Sequence, residues 1–97
     1  MHAGTLTVDL LLGDVHSLKG KRSIVRPLVA ELRRTFDVAA AETGHLDLHR
    51  RAEVSVAVVA ADAAHCRDVL DRCERAVAAH PEFQLLSARQ VLHSDED

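Results

Sequence analysis

Twice along this chain, a stretch with apolar residues at every second position runs into one with apolar residues at every third or fourth. That change of period dictates a strand followed by a helix, two times over. In the first unit Leu6, Val8, Leu10 and Leu12 alternate with Thr5, Thr7, Asp9 and Leu11, giving a strand with one strongly apolar face. Gly13 and Asp14 supply turn chemistry. Ser17 then stands at an N-cap position ahead of Val25, Leu28, Val29, Leu32 and Phe36, whose spacing predicts a helix over 18–35. Pro27 falls inside that helix, where it removes one backbone hydrogen bond and crowds the carbonyl of Ser23. Both residues lie off the apolar stripe, so water can satisfy the freed carbonyl while the helix bends around the sheet. In the second unit Val54, Val56 and Val58 share one face of a strand over Arg51–Ala61. Asp62 caps a second helix whose stripe is Cys66, Val69, Leu70, Cys73 and Val77, with Pro81 as its stop. Weaker strand patterns follow the helices at Phe36–Glu42 and Leu85–Leu92, and residues 43–50 connect the two halves.

The order β-α-β-β-α-β is that of a ferredoxin-like α+β domain: a four-stranded antiparallel sheet with two helices on one face. Right-handed crossovers place the first and third strands in the centre, which fits their being the most apolar. Thr7, Asp9, Leu11, Ser55, Ala57 and Val59 then form the face that the helices leave open. The chain has 97 residues, room for one core only, so residues 1–93 are read as a single domain and 94–97, Ser-Asp-Glu-Asp, as a frayed acidic tail. With two Phe and no Trp or Tyr, that core is built from Val, Leu and Ala. A domain of this size buries only roughly 60% of its unfolded surface, so self-association as a homodimer or higher oligomer is expected.

The apolar runs Leu10–Leu12 and Val54–Ala61 fall far short of a membrane span, and Met1–Thr5 has neither the basic start nor the apolar stretch of a secretory signal. A soluble cytoplasmic protein with no membrane partner is expected. Cys66 and Cys73 agree: seven residues apart on a helix, they are separated by roughly 10 Å, beyond disulfide reach.

Charge is the most uneven property of the sequence. The formal net charge is -3, yet Lys19, Lys21, Arg22, Arg26, Arg33 and Arg34 stand in the first helix against Glu31 alone. Lys19, Arg22, Arg26 and Arg33 fall on one side of the helical wheel, a positive stripe able to meet phosphate backbones or an acidic protein surface, although solvated basic helix faces that touch neither are also common. Lys19, Lys21, Arg22, Arg26 and Arg33 are therefore the candidate RNA- or phosphate-binding residues. The 43–50 loop concentrates a second group, and His45, Asp47 and Arg51 are its candidates, with Asp47 expected to pair with Arg50 or Arg51. Glu42, His45, Asp47 and His49 form the densest cluster of potential ligands, but the His45-x-Asp47-x-His49 spacing permits a metal without specifying one, since no cysteine lies nearby and the pattern matches no helical ligand face. No metal and no cofactor are expected. Core-side thiols and serines without a base offer no nucleophile, and Gly13 and Gly20 do not form a phosphate loop. No catalytic residue is assigned, and the chain is read as no enzyme.

His16-Ser17-Leu18-Lys19-Gly20-Lys21-Arg22, Ala41-Glu42, His45, Asp47-Leu48, Arg51-Ala52 and Val56–Val59 together resemble the YlxP-like family of bacterial proteins, a domain of unknown function. The similarity runs from Leu6 to Leu86. The chain departs from that pattern at His49, where relatives often carry an aromatic residue, and at Gly44, where an acid is frequent. The resemblance implies a ferredoxin-like fold. It also implies, by gene neighbourhood with a translation initiation factor and ribosome-binding factor A, a role around ribosome assembly or RNA. The expected function is thus a non-catalytic module that binds RNA or a ribosomal particle through the basic helix, without DNA specificity. The competing reading is a self-associating protein–protein interaction domain with no nucleic-acid role.

Overall fold

The alternation of the first strand is realised in the computed structural model, which describes residues 1–95. Leu6, Val8, Leu10 and Leu12 are buried, while Thr5, Thr7, Asp9 and Leu11 between them remain partly open. The elements are β1 (His2–Leu12), α1 (Leu18–Phe36), β2 (Ala39–Gly44), β3 (Arg51–Ala60), α2 (Ala63–Ala78) and β4 (Phe83–Ser94). The strands form one sheet in the order β2-β3-β1-β4, with every neighbouring pair antiparallel. This is the ferredoxin-like α+β arrangement, with β1 and β3 in the centre. Register sets Leu6 opposite Val56 and Val8 opposite Val54, so the apolar residues of both central strands share a face. Val25, Leu28, Val29 and Leu32 of α1, with Cys66, Val69, Leu70, Cys73 and Val77 of α2, complete one buried cluster with them.

Both helices begin as their caps dictate. Ser17 Oγ accepts from the Gly20 N–H at 2.9 Å, and Asp62 Oδ1 accepts from the His65 N–H at 2.7 Å. Ser23 and Pro27 are exposed on an unbroken α1, where solvent can reach the carbonyl that the proline frees. One glycine is demanded by packing: a Cβ on Gly4 would stand 2.8 Å from Leu70 Cδ1, so β1 approaches α2 as closely as it does because the side chain is absent. Among the described residues no helix is long and apolar enough to cross a membrane.

The boundaries that differ most from the sequence reading are at β2, β4 and the C-terminus. Strand β2 starts at Ala39 and not at Phe36, because Phe36 completes the last turn of α1 against the core and Asp37, at φ 54, turns the chain out of the helix. Strand β4 is longer than Leu85–Leu92. It pairs with β1 along nearly its whole length, but Leu86 is an extra residue between the Asp9–Ser87 and Leu10–Leu85 pairs. That bulge breaks the period of two, which is why β4 looked irregular. At the acidic end, Ser94 closes β4 and Asp95 is tied to the first residue: its N–H donates to the Met1 carbonyl at 3.3 Å and its Oδ1 accepts from the N-terminal ammonium at 3.1 Å. The expected fray at Glu96 and Asp97 lies outside the described residues.

Candidate phosphate-binding surface

Helix α1 carries its bases at three distinct kinds of position. Lys21 lies four residues before Val25 and seven before Leu28, which puts it on the buried stripe, and it is only 2% exposed. Its ammonium is spent inside the molecule: it donates to the carbonyls of His45 at 2.7 Å and Leu48 at 2.8 Å, and ion-pairs with Glu42 Oε2 at 2.7 Å. Lys21 is therefore corrected from a phosphate candidate to the pin of the 45–48 loop, since a buried ammonium is stable only when its three donors are matched. Arg33 is partly committed as well. Its Nε and Nη2 both donate to the Ala40 carbonyl, at 2.9 and 2.6 Å, laying the guanidinium along β2.

Lys19, Arg22 and Arg26 are exposed, spaced three and four residues apart, and they line one surface depression of 370 Å³ together with Ser23 and Pro27. No acid borders it. Next to it, a groove of 460 Å³ between α1 and β2 is lined by Arg26, Arg33 and Glu42 over a floor of Val25, Val29, Ala30 and Ala41. Arg26 borders both hollows, so the unpaired charge on α1 is densest toward its N-terminal half.

The loop candidates divide in the same way. His45, at φ 54, places Nε2 at 3.4 Å from Asp9 Oδ1, and Arg51 Nη2 lies 2.5 Å from Asp9 Oδ2, so two of the three residues meet on Asp9 of β1. Asp47 does not join them. It is exposed, and its expected partners are engaged elsewhere: Arg51 with Asp9, and Arg50 through Nε with the carbonyls of Gly13 at 3.0 Å and Leu12 at 3.4 Å. Beside this pair, the open sheet face carries a run of hydroxyls. Thr43 donates to Glu53 Oε1 at 2.7 Å and accepts from the Ser55 hydroxyl at 2.7 Å, and Ser55 Oγ lies 3.2 Å from Thr7 Oγ1. Asp9 and Glu42 stand outside the candidates assigned from the sequence, yet each is the acid that a base of the site pairs with, Arg51 and Lys21 respectively. The signal for Glu42 was available, because it stands two residues after the buried Ala40 and so turns to the same side as Lys21.

Among the described residues no three His, Cys, Asp or Glu side chains converge closely enough to hold a metal ion. Cys66 and Cys73 are buried free thiols, and burial pushes Cys73 up to about 11 against a smaller opposing pull from Arg72. Raised in this way, the Cys73 thiol lacks the thiolate character of a nucleophile at neutral pH.

No curated protein matches this chain. The model of the family described as a protein of unknown function (DUF503) matches residues 3–90, which takes in β1 from its second residue, the whole of α1, β2, β3 and α2, and most of β4, and the chain belongs to that family.

Proposed function

We propose that this protein is a non-catalytic binding module that holds single-stranded RNA, free or on a ribosomal particle, by its phosphates. The observation that carries the reading is the depression on α1, where Lys19, Arg22 and Arg26 converge without an acid on its rim. Three exposed cations at this spacing match successive charges on a flexible phosphate chain. The open sheet face is not the seat of binding, because base-stacking sheets need aromatic residues and the central strands here present Thr7, Asp9, Ser55 and Ala57. Resemblance to the YlxP-like proteins supports the same setting, translation or ribosome assembly in the cytoplasm, by association of their genes.

Retention of single-stranded RNA measured across salt concentration tests this reading. Three phosphate contacts predict a log-log slope of about -2, and the Arg22→Gln, Arg26→Gln double variant a slope shallower by about one unit or more, with folding intact. Sequence preference is expected to be weak, since nothing beside the depression reads base edges. If wild-type protein retains neither RNA nor ribosomal particles at low ionic strength, the basic surface is a solvated helix face and the interaction-domain reading takes its place.

A further inference from the structure

The two edges of the sheet are unequally protected. Strand β2 has six residues, its Ala40 carbonyl is capped by the Arg33 guanidinium, and its register breaks between Glu42 and Gly44. These are the devices by which proteins keep an edge from recruiting another strand. Strand β4 has twelve residues, of which Leu86–Arg89 are exposed, with no proline and Arg89 as its sole Lys, Arg, Asp or Glu. On its outer side no side chain or loop among the described residues bonds the backbone of Gln84–His93. Beyond the bulge at Leu86, Ser87–His93 runs unbroken opposite Asp9–Ala3, a free ladder of about 23 Å at ~3.3 Å per residue.

We propose that this edge is a homodimer interface, in which β4 of one copy pairs antiparallel with β4 of a second to join two sheets into one. A second copy is the occupant that this longer and less guarded antiparallel edge fits by symmetry, since a two-fold axis normal to the sheet makes the same strand its own partner. Such an axis sets residues of like parity opposite each other. An axis through Arg89 would oppose two guanidinium groups. An axis through Gln90 uses the entire unbroken stretch, pairing Arg89 with Val91, Ala88 with Leu92 and Ser87 with His93 across the boundary. Helix α2 reaches this edge, because Gln90 Nε2 donates to Asp71 Oδ1 at 2.7 Å. Arg67 and Arg75 stand one turn to either side of Asp71, so the α2 of a second copy meets charges of both signs and not a wall of one.

The interface is independent of the RNA reading, and its test reads a different property. Light scattering at tens of micromolar is expected to show a dimer. Gln90→Cys should oxidise to a covalent dimer, because Cα atoms opposed at an antiparallel axis lie about 4.5 to 5.5 Å apart, within disulfide range. Ala41→Cys, on the guarded β2 edge, should not. Val91→Lys places like charges opposite Arg89 twice per dimer and should raise the dissociation constant about tenfold, while Val91→Glu should lower it severalfold at low salt. A monomer at every concentration overturns the proposal. So does a dimer that cross-links through Ala41→Cys, or one that dissociates on Val59→Lys, at the open face, while ignoring both Val91 variants.

Discussion

The two β-α-β halves of this molecule follow one plan and end in different surfaces. In each, a central strand with valine or leucine at alternate positions leads through a side-chain N-cap into a helix whose stripe lands on the same core. Ser17 and Asp62 do the same work at the two helix starts. The polar positions diverge. Helix α1 has Glu31 as its sole acid against six bases, whereas α2 balances Arg67, Arg72 and Arg75 with Asp68, Asp71 and Glu74, and Arg72 lies 3.8 Å from Asp68. The edge strands diverge as well, β2 being short and capped by an arginine, β4 long and open. Apolar periodicity builds the frame, and the positions it leaves free set what each half presents: exposed cations on the first, a long open strand edge on the other.

The largest effect is expected where the halves share material. Val56 is buried at the centre of the sheet opposite Leu6, so Val56→Asp buries an unpaired charge at a cost of several kcal/mol, as much as the whole stability of a small domain. Circular dichroism should show loss of cooperative folding in both halves at once. A soluble variant that melts cooperatively would separate them and refute the common core.

A smaller effect sharpens the contrast within the first half. Lys21→Met leaves Glu42 without its cation and frees the carbonyls of His45 and Leu48. Because Glu42 is about one-fifth exposed, the loss should sit near the low end for a broken buried pair, about 3 kcal/mol in denaturant unfolding. Backbone amides in the 45–48 loop should exchange faster. Lys19→Met, two residues earlier and in solvent, should change stability by less than about 0.5 kcal/mol. Equal losses for the two variants would contradict the separation of roles on α1.

The smallest effect compares the two helix starts directly. Ser17→Ala and Asp62→Ala each remove one cap bond and should each cost about 1 kcal/mol in thermal or denaturant unfolding. A large asymmetry would show that the shared core leans on one helix more than the other.

Much of this was legible from residue spacing. Alternation at Leu6–Leu12 and Val54–Val58, together with the two apolar stripes, names the two central strands and both helices, and the weaker patterns after each helix complete the order that makes the sheet antiparallel. Boundaries were legible only where local chemistry decides them. The end of α1 depends on Asp37 adopting a left-handed conformation, and nothing in Phe36-Asp37-Val38 distinguishes that from a strand already begun. The period of β4 was hidden by a bulge that exists only against β1. Among the site residues, the burial of Lys21 was readable from its four- and seven-residue distances to Val25 and Leu28. Its identity as a base drew attention to phosphates instead.

By itself the sequence determined which residues turn inward, because burial follows a period that any helix or strand must obey. It also determined that one helix is basic, because charge is a property of composition. Only the tertiary structure decided what each charge does. Lys21 finds carbonyls 24 and 27 residues away, Arg51 finds Asp9 across the sheet, and Arg33 finds the β2 backbone, while Lys19, Arg22 and Arg26 remain available to solvent. The partners of Lys21 and Arg51 are distant in the chain, and even Arg33 reaches Ala40, seven residues on, only because α1 packs beside β2, so these pairings depend on strand register and helix packing and no local pattern encodes them.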